Sequence, residues 1–534
     1  MQIVTSSPSK QATLLVLLGM GALSIASFFY YFHLGLTTAY LDSQSYLVIA
    51  RRVVESPTTG FGQLGGVWLW FKQALTLPFV WSDPLYESGI AGCISSMGAF
   101  IATGWLVFAT VWRLTSSHPS ATIGTVLFAS NANVLYLQGT PMSETLLYVF
   151  MMLSTYFLVV WIGNPNAISS FVCLSVAVFL AASTRYEGWA LIPTVGLVIT
   201  YVSIREPGWS WKQVQDRLFL FGFIAGSAPV LWMIWNWFIF GSPMAFSTGE
   251  YAEPSNWVGG TDVAVGNLDV AAETFWYATV HNLGLVVSFA MIAGLAYCLW
   301  RFRLHPYSAV VLLLASQFPY FIAILYLGQR PMFVPEISGQ MINIRFALQM
   351  ILLAAIVAGV LAARNRVMLV LVVLLVAFNN GVVLPQDIIT IDEPEQVAAF
   401  VKTEDKADAG ACLRELHDGS GMILMETFGN EAAVYSSGLP LDHIIYEGSY
   451  KTDSMSRNSP YTLWDAALLN PTRYVDWLYL RTDPADPDKP ARIFGAYPER
   501  IVPFTPVFQN ASVTIYHLGP LPTAATRCQE SAHV

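Results

Sequence analysis

Charge is scarce in this chain. Only 11% of its 534 residues are Asp, Glu, Lys or Arg, whereas 55% are hydrophobic, and the mean hydropathy is +0.52. Soluble globular proteins carry about 25% of these charged residues, so a water-facing surface all round is excluded. Cysteine is also scarce, with 5 residues, which excludes a disulfide-rich secreted scaffold. The net charge of −9 offers no basic face for nucleic acid, so no nucleic-acid partner is expected.

The few charges are unevenly distributed along the chain. Residues 1–385 contain 15 cationic and 14 acidic side chains, whereas residues 386–534 contain 11 cationic and 21 acidic ones. This change in composition predicts a transmembrane domain over 1–385, with a long first outer loop at 35–87, followed by an acidic, water-soluble domain over 386–534.

Long apolar runs are abundant in the first part. A hydrocarbon core about 30 Å thick needs about 20 apolar residues of helix. We therefore predict a mainly α, polytopic membrane helical bundle of about eleven spans, followed by a C-terminal soluble α/β domain. The predicted spans lie near residues 12–34, 88–112, 119–138, 142–162, 168–184, 188–204, 218–240, 275–300, 307–327, 343–363 and 367–385.

The positions of lysine and arginine predict the orientation of these spans, because loops rich in these residues stay on the cytoplasmic side. With a cytoplasmic N-terminus, the inner loops contain nine of the cations and only two acids. We therefore predict an integral plasma (inner) membrane protein, surrounded by membrane lipids, whose C-terminal domain is extracytoplasmic. Two amphipathic stretches of the first outer loop, Ser43–Glu55 and Val67–Trp81, are typical either of helices in the headgroup layer or of loop helices packed on the bundle.

Ionisable side chains recur at the outer ends of the predicted spans. Asp42 follows the first span, Glu144 opens the fourth, and Arg345 opens the tenth, while Arg185 and Glu187 lie between the fifth and sixth. Such groups are costly at about 2.5–3.5 kcal/mol each at mid-bilayer and less near the interface, so their common depth indicates a functional site.

Each of these positions also has a structural interpretation. Glu144 is favoured by the dipole of the helix that it opens, and Glu187 can pair with Arg185. Arg345 can reach the lipid headgroups, and Asp42 can cap a helix that begins at the next residue.

The order of these motifs resembles that of bacterial integral-membrane glycosyltransferases of the GT-C superfamily, which includes protein O-mannosyltransferases and lipid A aminoarabinose transferases. The resemblance covers most of residues 12–363. Some relatives have paired acids in the first loop, whereas Ser43 follows Asp42 here. The matching motifs are Asp42 with Tyr46, Asn133-Val-Leu-Tyr136 with Pro141-Met-Ser-Glu144, Thr184-Arg-Tyr-Glu-Gly-Trp189, Asn236 with Phe240-Gly-Ser-Pro243 and Gly249-Glu-Tyr251, and Asn343-Ile-Arg345-Phe346.

The resemblance implies transfer of a hexose or pentose from a polyprenyl-phosphate donor to an acceptor hydroxyl of a glycan, lipid or protein on the outer face. In an inverting displacement, Asp42 would act as the base and Arg345 would stabilise the leaving lipid phosphate. Glu144 would orient the acceptor or form a cation site with Asp42. The remaining candidate substrate-binding residues are Arg185, Glu187, Arg330, Asn343 and Tyr46.

No cofactor is assigned from the sequence. Two carboxylates can hold Mg²⁺, Mn²⁺ or Ca²⁺, but no His/Cys cluster or close Asp-x-Asp pair requires a metal, so no metal ligand is named. Two other functions stay open: a transporter or flippase of polyprenyl-linked lipids, and an oligosaccharide transferase that uses a diphosphate-linked lipid. A transporter would carry charges or helix breakers near mid-membrane.

The C-terminal domain shows short helical and strand patterns. Helices are predicted at Glu393–Val401 and Asp408–His417. Because the outer compartment is oxidising, Cys412 and Cys528 are candidates for a disulfide. Strands are predicted at Met422–Met425, His443–Tyr446, Trp477–Arg481 and Val513–His517.

Overall fold

The computed structural model describes residues 7–252, 262–303, 305, 307–449 and 461–519. The chain divides into two compact units. The first comprises Met1–Thr37, Gly66–Lys72 and Cys93–Pro394, and the second comprises Thr38–Gly65, Gln73–Gly92 and Glu395–Val534. Most of the first outer loop therefore belongs to the same unit as the C-terminal residues. The boundary between a membrane domain and an extracytoplasmic domain at 385/386 stays a prediction.

Helices dominate the described chain. In chain order they are α1 Lys10–His33, α2 Leu41–Arg52, α3 Phe71–Thr76, α4 Asp83–Glu87, α5 Ile90–Thr115, α6 His118–Ala129, α7 Ala132–Leu137, α8 Glu144–Gly163, α9 Ile168–Thr184, α10 Leu191–Arg205, α11 Trp211–Ala225, α12 Ser227–Phe240, α13 Ala245–Thr248, α14 Leu268–Leu283, α15 Leu285–Phe302, α16 Ser308–Ala315, α17 Gln317–Tyr326, α18 Pro335–Ser338, α19 Met350–Ala362, α20 Arg366–Phe378, α21 Ile389–Phe400, α22 Thr403–Leu416, α23 Glu431–Ser437, α24 Leu463–Leu469, α25 Pro471–Tyr474 and α26 Lys489–Ala496.

The described residues contain nine helical segments long and apolar enough to cross a membrane, and a shorter apolar helix, Ile168–Thr184. The mainly helical membrane fold is thus confirmed, whereas the count of eleven spans is not reproduced. The nine segments are Lys10–His33, Ile90–Thr115, Glu144–Gly163, Tyr186–Arg205, Trp211–Phe240, Leu285–Phe302, Ser308–Tyr326, Ile344–Ala362 and Arg366–Phe400.

Two predicted spans are interrupted by local backbone signals. The span predicted near 119–138 is wrong, because the side chain of Asn131 accepts a hydrogen bond from the N–H of Val134 (3.2 Å) and caps a new short helix, α7. The span predicted at 275–300 is broken at Gly284, which has a φ of +84° and separates α14 from α15.

The break at Gly284 predicts a stability effect. A Cβ at this position would clash with Asn379 Oδ1, and the positive φ is itself unfavourable for a residue with a Cβ. We expect Gly284→Ala to lower the free energy of unfolding by more than about 1 kcal/mol. Gly241→Ala is the matched control, because its φ is +76° but its Cβ would meet nothing within 4 Å. If unfolding curves in detergent show the same loss of unfolding free energy for both variants, the close approach to Asn379 contributes nothing to the effect.

The helix α19 forms the centre of the first unit. Twelve of its thirteen residues are buried. It packs closely against α6, because a Cβ at Gly124 would lie 2.7 Å from the carbonyl oxygen of Ala355. Small residues at such crossings let helix backbones approach, as is typical of membrane bundles. This packing fixes the turn that precedes α19, which carries Arg345.

The second unit contains a five-stranded sheet, which confirms the predicted α/β fold of the C-terminal part. Its order is β2-β1-β3-β5-β4, with β1 parallel to β2 and β3, and β5 antiparallel to β3 and β4. The four predicted strands are confirmed; β4 was missed because it contains Pro506, which an edge strand tolerates. The strands are β1 Ile423–Met425, β2 Ile444–Ile445, β3 Trp477–Arg481, β4 Phe504–Gln509 and β5 Val513–Leu518.

Helix α2 is an integral part of the second unit. Val48 packs in the core with the sheet, while Leu47 and Ala50 pack with Tyr435 of α23. The α/β unit is thus the packing partner of α2, whereas a position of this helix in the headgroup layer stays a prediction. Cys412, which is buried on α22, is disulfide-bonded, as the prediction requires. Its predicted partner, Cys528, lies outside the described residues.

Candidate active site

Six charged side chains meet at one end of the first unit. Glu144 is the first residue of α8, and Arg185 follows α9, whose last residue is Thr184. The antiparallel course of these helices brings their ends together, so residues distant in sequence become neighbours. The six are Glu144, Arg185, Glu187, Arg330, Arg345 and Glu393.

Arg185 is shared between two carboxylates. Its Nη1 lies 3.0 Å from Glu144 Oε1, and its Nη2 lies 2.8 Å from Glu187 Oε1. Nη1 also donates to Ser143 Oγ at 3.0 Å. All of these side chains are buried, so the pairs are shielded from solvent, and each carboxylate depends on its guanidinium partners.

Arg345 lies between two glutamates. Its Nε is 3.2 Å from Glu144 Oε1, and its Nη1 contacts Glu393 Oε1 closely. The carboxylate of Glu393 also accepts the backbone N–H groups of Asn343 (3.0 Å) and Arg345 (3.1 Å). Asn343 has a φ of +59°, a left-handed conformation that asparagine tolerates better than most residues. Sequence analysis missed this role of Glu393, because composition placed it in the soluble domain.

Arg330 completes the network and is its most accessible cation. Its Nη1 is 3.2 Å from Glu187 Oε1, and its side chain is 23% exposed, against 7% for Arg185 and 4% for Arg345. The ring of Phe346 lies within 5.4 Å of all three guanidinium carbons, which suits cation–π contacts. Three guanidinium groups thus face three carboxylates, and the cluster is close to neutral.

Lys72 is a second group that sequence analysis missed. It lies in the stretch predicted to be amphipathic, yet its side chain is 0% exposed. Nζ donates to Ser95 Oγ (3.0 Å) and Ser96 Oγ (2.9 Å), and Ser96 Oγ in turn donates to the carbonyl of Met142. Burial lowers the pKa of Lys72 to about 7, although the charge of Glu144 acts in the opposite direction.

The structure thus brings six of the predicted site residues together: Glu144, Arg185, Glu187, Arg330, Asn343 and Arg345.

Asp42 and Tyr46 lie on α2 in the second unit. Asp42 is inside the first turn, because α2 begins at Leu41 with Tyr40 as its cap; the capping role considered for Asp42 is therefore wrong. Burial and, more weakly, the charge of Asp42 raise the pKa of Glu431 at the start of α23.

The chemistry of these carboxylates does not favour the metal alternative at Glu144. Its carboxylate already faces Arg185 and Arg345. Within the described ranges, no group of three or more His, Cys, Asp or Glu side chains could hold a metal ion. A cation at Glu144 would therefore compete with two guanidinium groups.

No protein-family model matches the sequence, and no curated protein matches it. Among solved structures, ArnT from Cupriavidus metallidurans bound to undecaprenyl phosphate matches with a TM-score of 0.55 and 13% identity, covering 93% of this chain and 98% of that chain. The chain has an ArnT-like fold. The predicted GT-C resemblance is thereby confirmed at the level of the fold.

Two further solved structures match with lower similarity. The apo state of the same ArnT matches with a TM-score of 0.52 and 13% identity, covering 93% of this chain and 97% of that chain. An oligosaccharyltransferase complex from Archaeoglobus fulgidus with Zn and sulfate gives a TM-score of 0.44 and 10% identity, covering 87% of this chain and 67% of that chain.

Proposed function

We propose that the protein transfers a sugar from a polyprenyl-phosphate-linked donor to an acceptor hydroxyl at the extracytoplasmic border of the membrane. The observation that carries this proposal is the cluster of three arginines, two of them buried, that pair with buried carboxylates in an ArnT-like bundle. Its support includes the solved ArnT structure, which contains undecaprenyl phosphate. The N-terminus would be cytoplasmic, as the distribution of cations predicts.

The leaving group is the lipid phosphate. As the bond between the sugar C1 and the phosphate oxygen breaks, the electron pair stays on that oxygen, and negative charge develops there. Arg345 is assigned the role of stabilising this charge, with Arg185 and Arg330 as further substrate-binding cations. Hydrogen-bond donors that are already in position need no reorganisation during the reaction. The pairing of each arginine with a carboxylate holds its guanidinium in position, which favours this role. Arg330 is the cation most open to an entering phosphate.

The acceptor side needs a base. The acceptor hydroxyl oxygen forms the new bond to C1, and its proton goes to the carboxylate of Asp42 in the same inverting displacement. Tyr46, Asn343 and Glu187 are proposed to contact the substrates. Glu144 is assigned to holding Arg185 and Arg345, which are its observed partners. The sugar is a hexose or pentose, and the acceptor is a glycan, lipid or protein.

We propose that the charge of Lys72 acts on the arginine cluster through Glu144, with which it interacts electrostatically, and that donor binding therefore depends on pH. Burial lowers the pKa of Lys72 to about 7, so the amine is mainly charged below pH 7 and mainly neutral above it. A phosphodiester donor keeps a single negative charge over this range, so only the lysine changes. We expect the apparent donor Kd to rise up to about tenfold for each pH unit above 7. Titrations of donor lipid in nanodiscs between pH 6 and 9 measure this, and Lys72→Arg should flatten the profile. An unchanged profile in that variant would remove Lys72 from donor binding.

Purified protein in liposomes tests the proposed function directly. A panel of polyprenyl-phosphate sugars is supplied with candidate acceptors, and the sugar attached to each acceptor is measured by mass spectrometry. We expect transfer from at least one donor, with release of free polyprenyl phosphate. Movement of lipid between leaflets without any transfer, by protein of verified fold, would instead favour a flippase.

A further inference from the structure

We propose that Glu393 is a positioning residue for Arg345, and that Asn133 and Asn282 hold the helix of Glu393 against the turn that carries Arg345. The inference rests on the proposed function, because it assumes that Arg345 meets the donor phosphate. It adds three elements, α7, α14 and α21, that make no contact with the phosphate in this scheme.

Glu393 fixes both the backbone and the side chain at Arg345. Its Oε1 accepts the N–H of Asn343 (3.0 Å), and its Oε2 accepts the N–H of Arg345 (3.1 Å). The Arg345 guanidinium contacts Oε1 through Nη1. A carboxylate that binds two backbone donors of one turn and a guanidinium determines where that guanidinium points. The left-handed φ of Asn343 is held by the same contacts.

A second, independent set of hydrogen bonds closes a ring around this turn. On α21, the N–H and hydroxyl of Thr390 donate to Asn133 Oδ1 at 3.1 and 2.9 Å. Asn133 Nδ2 donates to the carbonyl of Asn282 (3.2 Å), and Asn282 Nδ2 donates to the carbonyl of Ile344 (2.8 Å). The ring therefore runs from α21 through α7 and α14 back to the residue before Arg345.

Burial makes the loss of any of these hydrogen bonds costly. Thr390, Asn133 and Asn282 are each 0% exposed, so no solvent replaces a lost hydrogen bond. The Arg345 guanidinium contacts Glu144 through Nε as well as Glu393 through Nη1. If α21 shifted, the contact with Glu393 would be lost and the contact with Glu144 would be kept. The guanidinium would then turn toward Glu144, away from the geometry that the reaction uses.

Steady-state kinetics of the full-length protein in liposomes test this role. We expect Glu393→Gln to lower kcat by about 100-fold, since small displacements of a catalytic group have effects of this size, with little change in the acceptor KM. Glu206→Gln is the matched control, because Glu206 follows Arg205 at the end of α10, at the opposite end of the segment Tyr186–Arg205 from the cluster. Thr390→Val, which removes one hydroxyl donor, should lower kcat in the same direction by a smaller factor.

A double-mutant cycle separates positioning from general structural support. If Glu393 acts through Arg345, then Glu393→Gln should have no further effect on kcat in an Arg345→Lys background. Multiplying effects of the two substitutions would overturn the inference, as would a wild-type kcat in Glu393→Gln.

A structural measurement keeps the inference testable without activity. If the parent processes no donor, the proposed function fails, and cryo-electron microscopy of Glu393→Gln in nanodiscs then decides the inference alone. A displaced Arg345 guanidinium supports it. An Arg345 side chain unchanged in position contradicts it.

Discussion

Replacing Arg185 by methionine is expected to destabilise the first unit by about 3–5 kcal/mol, because breaking a buried ion pair leaves an uncompensated buried charge. Arg185 bridges Glu144 and Glu187, both of which are buried. Each glutamate keeps one other arginine, Arg345 or Arg330, so the lower part of this range is expected. Unfolding curves in mixed detergent micelles measure the loss, and transfer activity should fall with it.

Two variants make the Arg185 prediction specific. Arg205→Met is the control, because Arg205 is an exposed arginine at the opposite end of the same predicted span, and it should change stability little. Adding Glu187→Gln to Arg185→Met should recover part of the lost stability, since one of the two affected charges is removed as well. A single variant as stable as the parent would show that the network contributes nothing to folding.

Asp42→Asn is expected to lower kcat by about 10²–10⁴-fold, which is the usual contribution of general base catalysis. The amide keeps the size of the carboxylate but cannot take the acceptor proton. Asp42 lies in the first turn of α2, so loss of its charge should have only a small effect on this helix. Initial rates of transfer in liposomes measure the effect, and donor affinity should remain close to that of the parent.

The control for Asp42 is Asp83→Asn. Asp83 belongs to the same unit, pairs with Arg51 at 2.7 Å and is largely exposed, so its loss should leave turnover unchanged. Turnover that survives Asp42→Asn would exclude Asp42 as the base. Equal losses in both variants would indicate damage to the second unit rather than to the chemistry.

The helical bundle was predictable because the length of an apolar run determines whether it can span a membrane. The charged positions were predictable because a charged residue is rare in an apolar run. Glu144, Arg185 and Arg345 were identified in this way, since a charge at a span end is conspicuous. Their mutual pairing was not predictable, because it depends on which helix ends meet in space. The interruptions at Asn131 and Gly284 depend on a cap and a positive φ, which hydropathy does not report.

Glu393 and Lys72 were missed for different physical reasons. In the sequence, Glu393 follows the last predicted span, 367–385, and lies in an acidic segment, so its composition does not distinguish it from neighbouring solvated acids. Its importance comes from the backbone donors of Asn343 and Arg345, which only the folded turn presents. Lys72 was assigned to an amphipathic stretch, where a lysine is normally exposed, whereas the fold buries it beside Ser95 and Ser96.

Cryo-electron microscopy of the protein in nanodiscs that contain polyprenyl phosphate tests the central claim most directly. The account predicts phosphate density within hydrogen-bonding distance of the arginine cluster, at Arg330 or Arg345, and loss of that density in Arg345→Ala with the bundle intact. Phosphate density at a different part of the bundle, unaffected by this substitution, would contradict the account.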